Sequence, residues 1–170
     1  VTGAAATRVL RGGGIELAVP PGWEARIRPP QRPEAARVAA VGDLDEGDGG
    51  GSSGALVHAA SFALPAQVAD FGGGAVEQMR RHDVFIALLE YGSDEVGSAL
   101  FAREGMPRAL RASHFSTSTL QRLIAGQSGV QRFFTEAGRA FCLYVVLGDH
   151  RARTELLSAV NGVLASARIG

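Results

Sequence analysis

Residues 14–27 read Gly14-Ile-Glu-Leu-Ala-Val-Pro-Pro-Gly-Trp-Glu-Ala-Arg-Ile27. Ile15, Leu17 and Val19 alternate with Glu16 and Ala18, the period-two pattern of a strand with one buried face. Pro20-Pro21-Gly22 then forces a tight change of direction, because proline presets φ and glycine accepts a positive one. Trp23, Ala25 and Ile27 resume the alternation and predict a second strand with Trp23 turned toward the core.

Upstream, Thr7–Arg11 and Ile15–Val19 form a predicted hairpin across Gly12-Gly13-Gly14. Downstream, three prolines open a stretch from 29 to 54 that ends in a low-complexity Gly/Asp run, expected to be a mobile loop. Ala55–Leu64 is the next expected strand, Gly72–Arg81 a short helix, and Asp83–Tyr91 a strand that is apolar on both faces, as in a covered central position. Residues 92–119 carry no periodicity. Val130–Glu136 and Ala140–Leu147 read as a hairpin across Ala137-Gly138. A helix from about His150 to Ala167 closes the chain, with Asp149 as its cap and Leu156, Leu157, Val160, Val163 and Leu164 on one side. The expected fold is α+β: a mostly antiparallel twisted sheet of six or seven strands, with the C-terminal helix packed on one face, in a single domain spanning 1–170.

The strand, Pro-Gly turn and Trp-led strand of residues 14–27, with the apolar strand at 83–91, the late hairpin and the terminal helix, resemble the PsbP-like superfamily. That superfamily includes photosystem PsbP, the Ran-binding Mog proteins, DcrB and the LpqN-type lipoproteins. The resemblance implies a PsbP-like sandwich and a binding or assembly role. It carries over no catalytic residue, because the superfamily shares no catalytic set.

Composition narrows the chemistry. With 170 residues, 46% hydrophobic and 20% charged, the chain has enough apolar surface for one core. No apolar run approaches the ~20 residues of a membrane span. All 17 basic residues are Arg, so lysine Schiff bases, phosphate-loop lysines and Ser-Lys dyads are excluded. The net charge of zero conceals an asymmetry: residues 1–98 hold 8 Arg and 13 acids, residues 99–170 hold 9 Arg and 4 acids. A strongly basic patch for nucleic acid is not evident, and no nucleic-acid partner is expected. Cys142, the single cysteine, lies in an apolar strand and reads as a buried thiol. The absence of a leader pattern suggests a cytoplasmic chain; Val1 allows a secreted or anchored form whose start has been trimmed.

Motif matches do not survive their contexts. Gly50-Gly-Ser-Ser-Gly54 matches a nucleophile elbow, and Gly49–Gly54 a dinucleotide loop, yet neither follows a strand. Asp43, Asp45, Glu46 and Asp48 lack the glycine and terminal glutamate of a calcium loop, so solvated linker charge is the preferred reading. His82 beside Asp83 and His150 beside Asp149 lack metal-ligand spacing. A dispersed triad such as Ser61, His114 and Asp83 is favoured by nothing over other sets. No cofactor or metal is called for. The expected function is therefore a non-enzymatic binding or assembly module for a protein or small ligand, with Arg108, Arg111, His114 and Ser116 as the candidate ligand or partner surface. The alternative is a small hydrolase or transferase using polar groups of the irregular 92–128 segment, where Glu104 joins those four.

Overall fold

The computed structural model describes residues 6–30 and 54–170. The polypeptide forms two antiparallel sheets and, among these residues, one α-helix. Strands β1 (Arg8–Gly12) and β2 (Ile15–Val19) make the first hairpin. Its two-residue turn, Gly13-Gly14, has φ of 56° and 74°, the doubly positive geometry that matches strand twist and that side chains resist. Glycine is doubly required at Gly14, where a Cβ would stand 2.5 Å from the Gly170 carbonyl oxygen.

Strands β3 (Glu24–Arg28), β4 (Leu56–Ala60), β5 (Val84–Glu90), β6 (Ser128–Glu136) and β7 (Arg139–Leu147) form the larger sheet, in the order β3-β4-β5-β7-β6. All neighbours are antiparallel. A last short strand, β8 (Arg168–Ile169), returns to β2, pairing Ile15 with Ile169. The expected sheet of six or seven strands becomes, among the described residues, eight strands: the seven read from the sequence and β8. They are divided between two sheets, and β8 escaped notice because two residues carry no periodicity.

Helix α1 (Arg153–Ser166) is preceded by a 3₁₀ turn at His150–Ala152, and Asp149 accepts the Arg151 amide proton at 2.8 Å as a cap. The helix expected at Gly72–Arg81 is reduced to a 3₁₀ turn, Val76–Gln78. Three positive-φ or loop glycines crowd its start, and glycine penalises helical backbone by about 1 kcal/mol per residue. Segment 92–119 is irregular as expected, broken by 3₁₀ turns at Ser93–Glu95, Ala99–Phe101 and Ala112–His114. Most of the 29–54 loop lies outside the described residues, as do Asp43, Asp45, Glu46 and Asp48 and most of the Gly/Ser motif matches.

Every residue of β7 except Arg139 is buried, as is all of β5 up to Glu90, so the large sheet is covered on both faces. On one face α1, the small sheet and residues Met106, Leu110 and Phe115 pack over Val84, Ile86, Leu88, Phe141, Leu143 and Val145. On the other, loops carry Leu64, Val76, Phe71 and Ile124 over Phe85, Leu89, Cys142 and Tyr144. Trp23 packs against the first core, as expected, but is not fully buried. It stands just before β3, at the rim of that core. Its amide is held by the Pro20 carbonyl at 3.1 Å, as part of the turn.

Candidate functional site

Strand β6 is an edge of the large sheet, and its free side is only partly covered. Segment 103–116 touches it at two points. At one end the Thr135 amide donates to the Arg103 carbonyl and the Gly105 amide to the Thr135 carbonyl, both at 2.8 Å. At the other, Ser116 and Gly129 exchange both backbone hydrogen bonds, at 3.0 and 2.9 Å. Between these points the segment swings away to α1, where the Asn161 amide side chain bonds both the N–H and the C=O of Leu110. It is a strap anchored at its ends and its middle, with Met106, Leu110 and Phe115 as buried pegs. The close approach at Gly129 needs glycine, since a Cβ there would lie 2.2 Å from the Thr119 carbonyl oxygen.

Two of the four candidate residues serve the strap itself. Arg108 pairs with Glu136 at 2.8 Å and donates to the Ala167 carbonyl at the end of α1. Glu136 also accepts the Met106 amide proton. Ser116 Oγ bonds Ser118 Oγ at 2.8 Å within a turn. Arg111 and His114 lie on the open stretch and meet there: His114 Nδ1 accepts the Arg111 amide proton at 3.2 Å.

Two arginines that sequence reasoning did not single out complete a basic cluster. Arg103 stands at the Thr135 end of the strap, and Arg132 projects from the middle of β6, its guanidinium bonded to the Gln131 carbonyl at 2.8 Å. Among the described residues no carboxylate forms an ion pair with Arg103, Arg111 or Arg132. Burial and the positive charges of Arg132, Arg111 and Arg103 together hold the His114 pKa below its ordinary value. Arg132 left a readable signal: it occupies the core-facing parity between Val130 and Phe134. A charge at such a position marks a sheet edge.

The other side of the β6 edge is apolar. Phe133 packs edge-on against Phe101 at 5.4 Å between ring centroids, and Tyr91 joins both rings. Leu100, on the 3₁₀ turn beside them, is 57% exposed.

The catalytic combinations are not assembled. Ser61 Oγ accepts the Val84 amide proton and Asp83 accepts that of Arg80. His114 lies beyond the opposite edge, with β7 and β6 between. His82 and Glu155 approach only to 3.9 Å on an exposed surface. Among the described residues no three His, Cys, Asp or Glu side chains are grouped to hold a metal ion. An open depression lined by Arg81, Gly126, Gly148, Asp149 and Arg151 has its carboxylate already paired with Arg81 at 2.7 Å. Cys142 is fully buried, and burial pushes its thiol pKa up to about 11, far from a nucleophile's range. No helix among the described residues is long and apolar enough to cross a membrane. Comparison of the chain with protein-family models, curated proteins and solved structures found no match.

Proposed function

We propose that this domain is a non-enzymatic binding module of PsbP-like sandwich architecture, and that it binds a carboxylate-rich ligand at the strap-and-edge surface of β6. The observation that carries this reading is that Arg103, Arg111 and Arg132 all bear on His114 and that none of them has a carboxylate ion-pair partner among the described residues. Like charges gathered at one place repel one another, a cost that a complementary ligand removes. The architecture is supported by the ordered succession of Pro-Gly-Trp turn, central apolar strand, late hairpin and terminal helix.

Fluorescent poly-L-glutamate tests the binding role. The wild-type chain is expected to bind it with an affinity that falls as salt is raised. The combined Arg103→Ala, Arg111→Ala and Arg132→Ala variant is expected to lose at least tenfold, with an unchanged unfolding midpoint. Equal affinity for the two chains would overturn the assignment of the site.

A further inference from the structure

The β6 edge is a strand-pairing site as well as a basic surface. In an antiparallel ladder, alternate residues direct both backbone polar groups away from the paired neighbour. Gly129 and Thr135 do so and are taken up by the strap. The β6–β7 register runs without a bulge from Ser128 to Glu136, so Gln131 and Phe133 point their N–H and C=O groups outward as well. The Gln131 carbonyl holds the Arg132 guanidinium. Among the described residues, the Gln131 N–H and both backbone groups of Phe133 have no hydrogen-bond partner outward of the ladder.

We propose that Gln131–Phe133 accepts a short extended peptide as an added strand, one whose side chains alternate between acidic and apolar. Successive side chains of such a strand point to opposite faces of the sheet. One set would lie toward α1, beside Arg111, His114 and Arg132; the other would lie against Phe133, Leu100 and Tyr91. The two anchors of the strap limit pairing to this stretch, so selectivity falls to the side chains. Charge complementarity sets the first requirement, since the strap carries a single acid, Glu104, and the neighbouring Glu136 is neutralised by Arg108. The aromatic group and the exposed Leu100 set the second. An unpaired run of backbone favours a peptide over a nucleic acid, which would offer no ladder partner.

The proposal rests on the carboxylate-ligand reading above, and the test separates the two. Three acetylated seven-residue peptides are titrated into the full chain: alternating Glu and Val, the same residues in two blocks, and the alternating peptide N-methylated at its central positions. Binding is followed by affinity and by amide exchange in NMR spectra, with poly-L-glutamate in parallel. The alternating peptide is expected to bind at least tenfold more tightly than the blocked one and to slow exchange at Gln131 and Phe133, and N-methylation is expected to abolish both effects. Equal binding of all three peptides without slowed exchange would overturn strand addition while leaving the carboxylate reading intact. Loss of poly-L-glutamate binding as well would sink both. Tighter binding of an oligothymidine than of the alternating peptide would overturn the proposal. So would exchange at Gln131 and Phe133 that slows with protein concentration alone, which would assign the edge to a second copy of the chain.

Discussion

Arg139 grips Glu90 in a two-point ion pair, Nε to Oε1 and Nη2 to Oε2, each at 2.8 Å. The pair ties separate parts of the fold together. Glu90 also accepts the Ala55 amide proton at 2.7 Å, while Arg139 donates to the Gly13 carbonyl at 2.7 Å and the Gly170 carbonyl at 3.1 Å, and lies over the Phe141 ring. The first hairpin, the large sheet and the C-terminal strand converge on this one pair, whose side chains are 14% and 20% exposed.

Removing one member strands the other. Glu90→Gln and Arg139→Ala are each expected to destabilise the fold by about 3 kcal/mol, near the lower end for buried pairs because both groups keep some solvent contact. Urea denaturation checks this, and a double variant costing no more than either single one would establish the coupling. Burial raises the Glu90 pKa, but hydrogen bonds from Arg139 and Ala55 and the Arg139 charge outweigh it and leave the value lowered. The pair's contribution is therefore complete above the ordinary glutamate value and is lost as pH falls through the lowered folded value.

His58 adds a second acid-sensitive element. It is 6% exposed, its Nε2 lies 2.9 Å from the Asp70 carbonyl oxygen, and its ring leans on Phe85. Burial lowers its pKa, outweighing the Asp70 carbonyl. The unfolded chain takes up the proton first, so stability falls as pH drops below 6.5 toward the lower folded value. His58→Gln, which can keep the donor and cannot titrate, is expected to flatten the denaturation midpoint between about pH 7 and about pH 5.

Trp23 and Phe134 make a contrasting pair. Phe134 is fully buried, stacked on Phe141 at 5.7 Å, and Phe134→Ala is expected to cost about 4 kcal/mol. Trp23 is only partly buried, and Trp23→Ala is expected to cost about half that. Equal shifts in thermal midpoint would contradict the placement of Trp23 at the rim.

Gly129→Ala is expected to release the strap. The added methyl must displace both the Thr119 carbonyl and the end of the Leu120 side chain, and overpacking of this kind costs about 1–3 kcal/mol. Faster amide exchange at Ser116 and Gly129, with little change in β5, is the expected signature.

Much of the fold was legible because its strands alternate or run apolar for their whole length. Ile15–Val19 shows one buried face and Val84–Leu89 two, and both keep that pattern in the structure. Asp149 announced the start of the helix. Partition into two sheets was not legible, because the small sheet is completed by β8 pairing with β2 across most of the sequence, a contact between distant residues that no local pattern announces. The parity of Trp23, Ala25 and Ile27 was legible too, since all three face the first core, but not that Trp23, standing just before β3, would be only partly buried. The site was half legible. Arg111 and His114 were singled out as polar groups on an irregular segment, and they do meet. Arg103 and Arg132 were passed over, because their convergence depends on which strand forms the sheet edge.

The pairing of Ile15 with Ile169 also bears on how the chain reaches this structure. Such a contact joins residues far apart in the chain, and loop-closure entropy delays distant pairings relative to local hairpins. The β6–β7 hairpin can form at once across Ala137-Gly138. The β2–β8 pairing and the cover that α1 gives to β2 both wait for residues 153–169, so Ile15, Leu17 and Val19 complete their burial only after that segment is made.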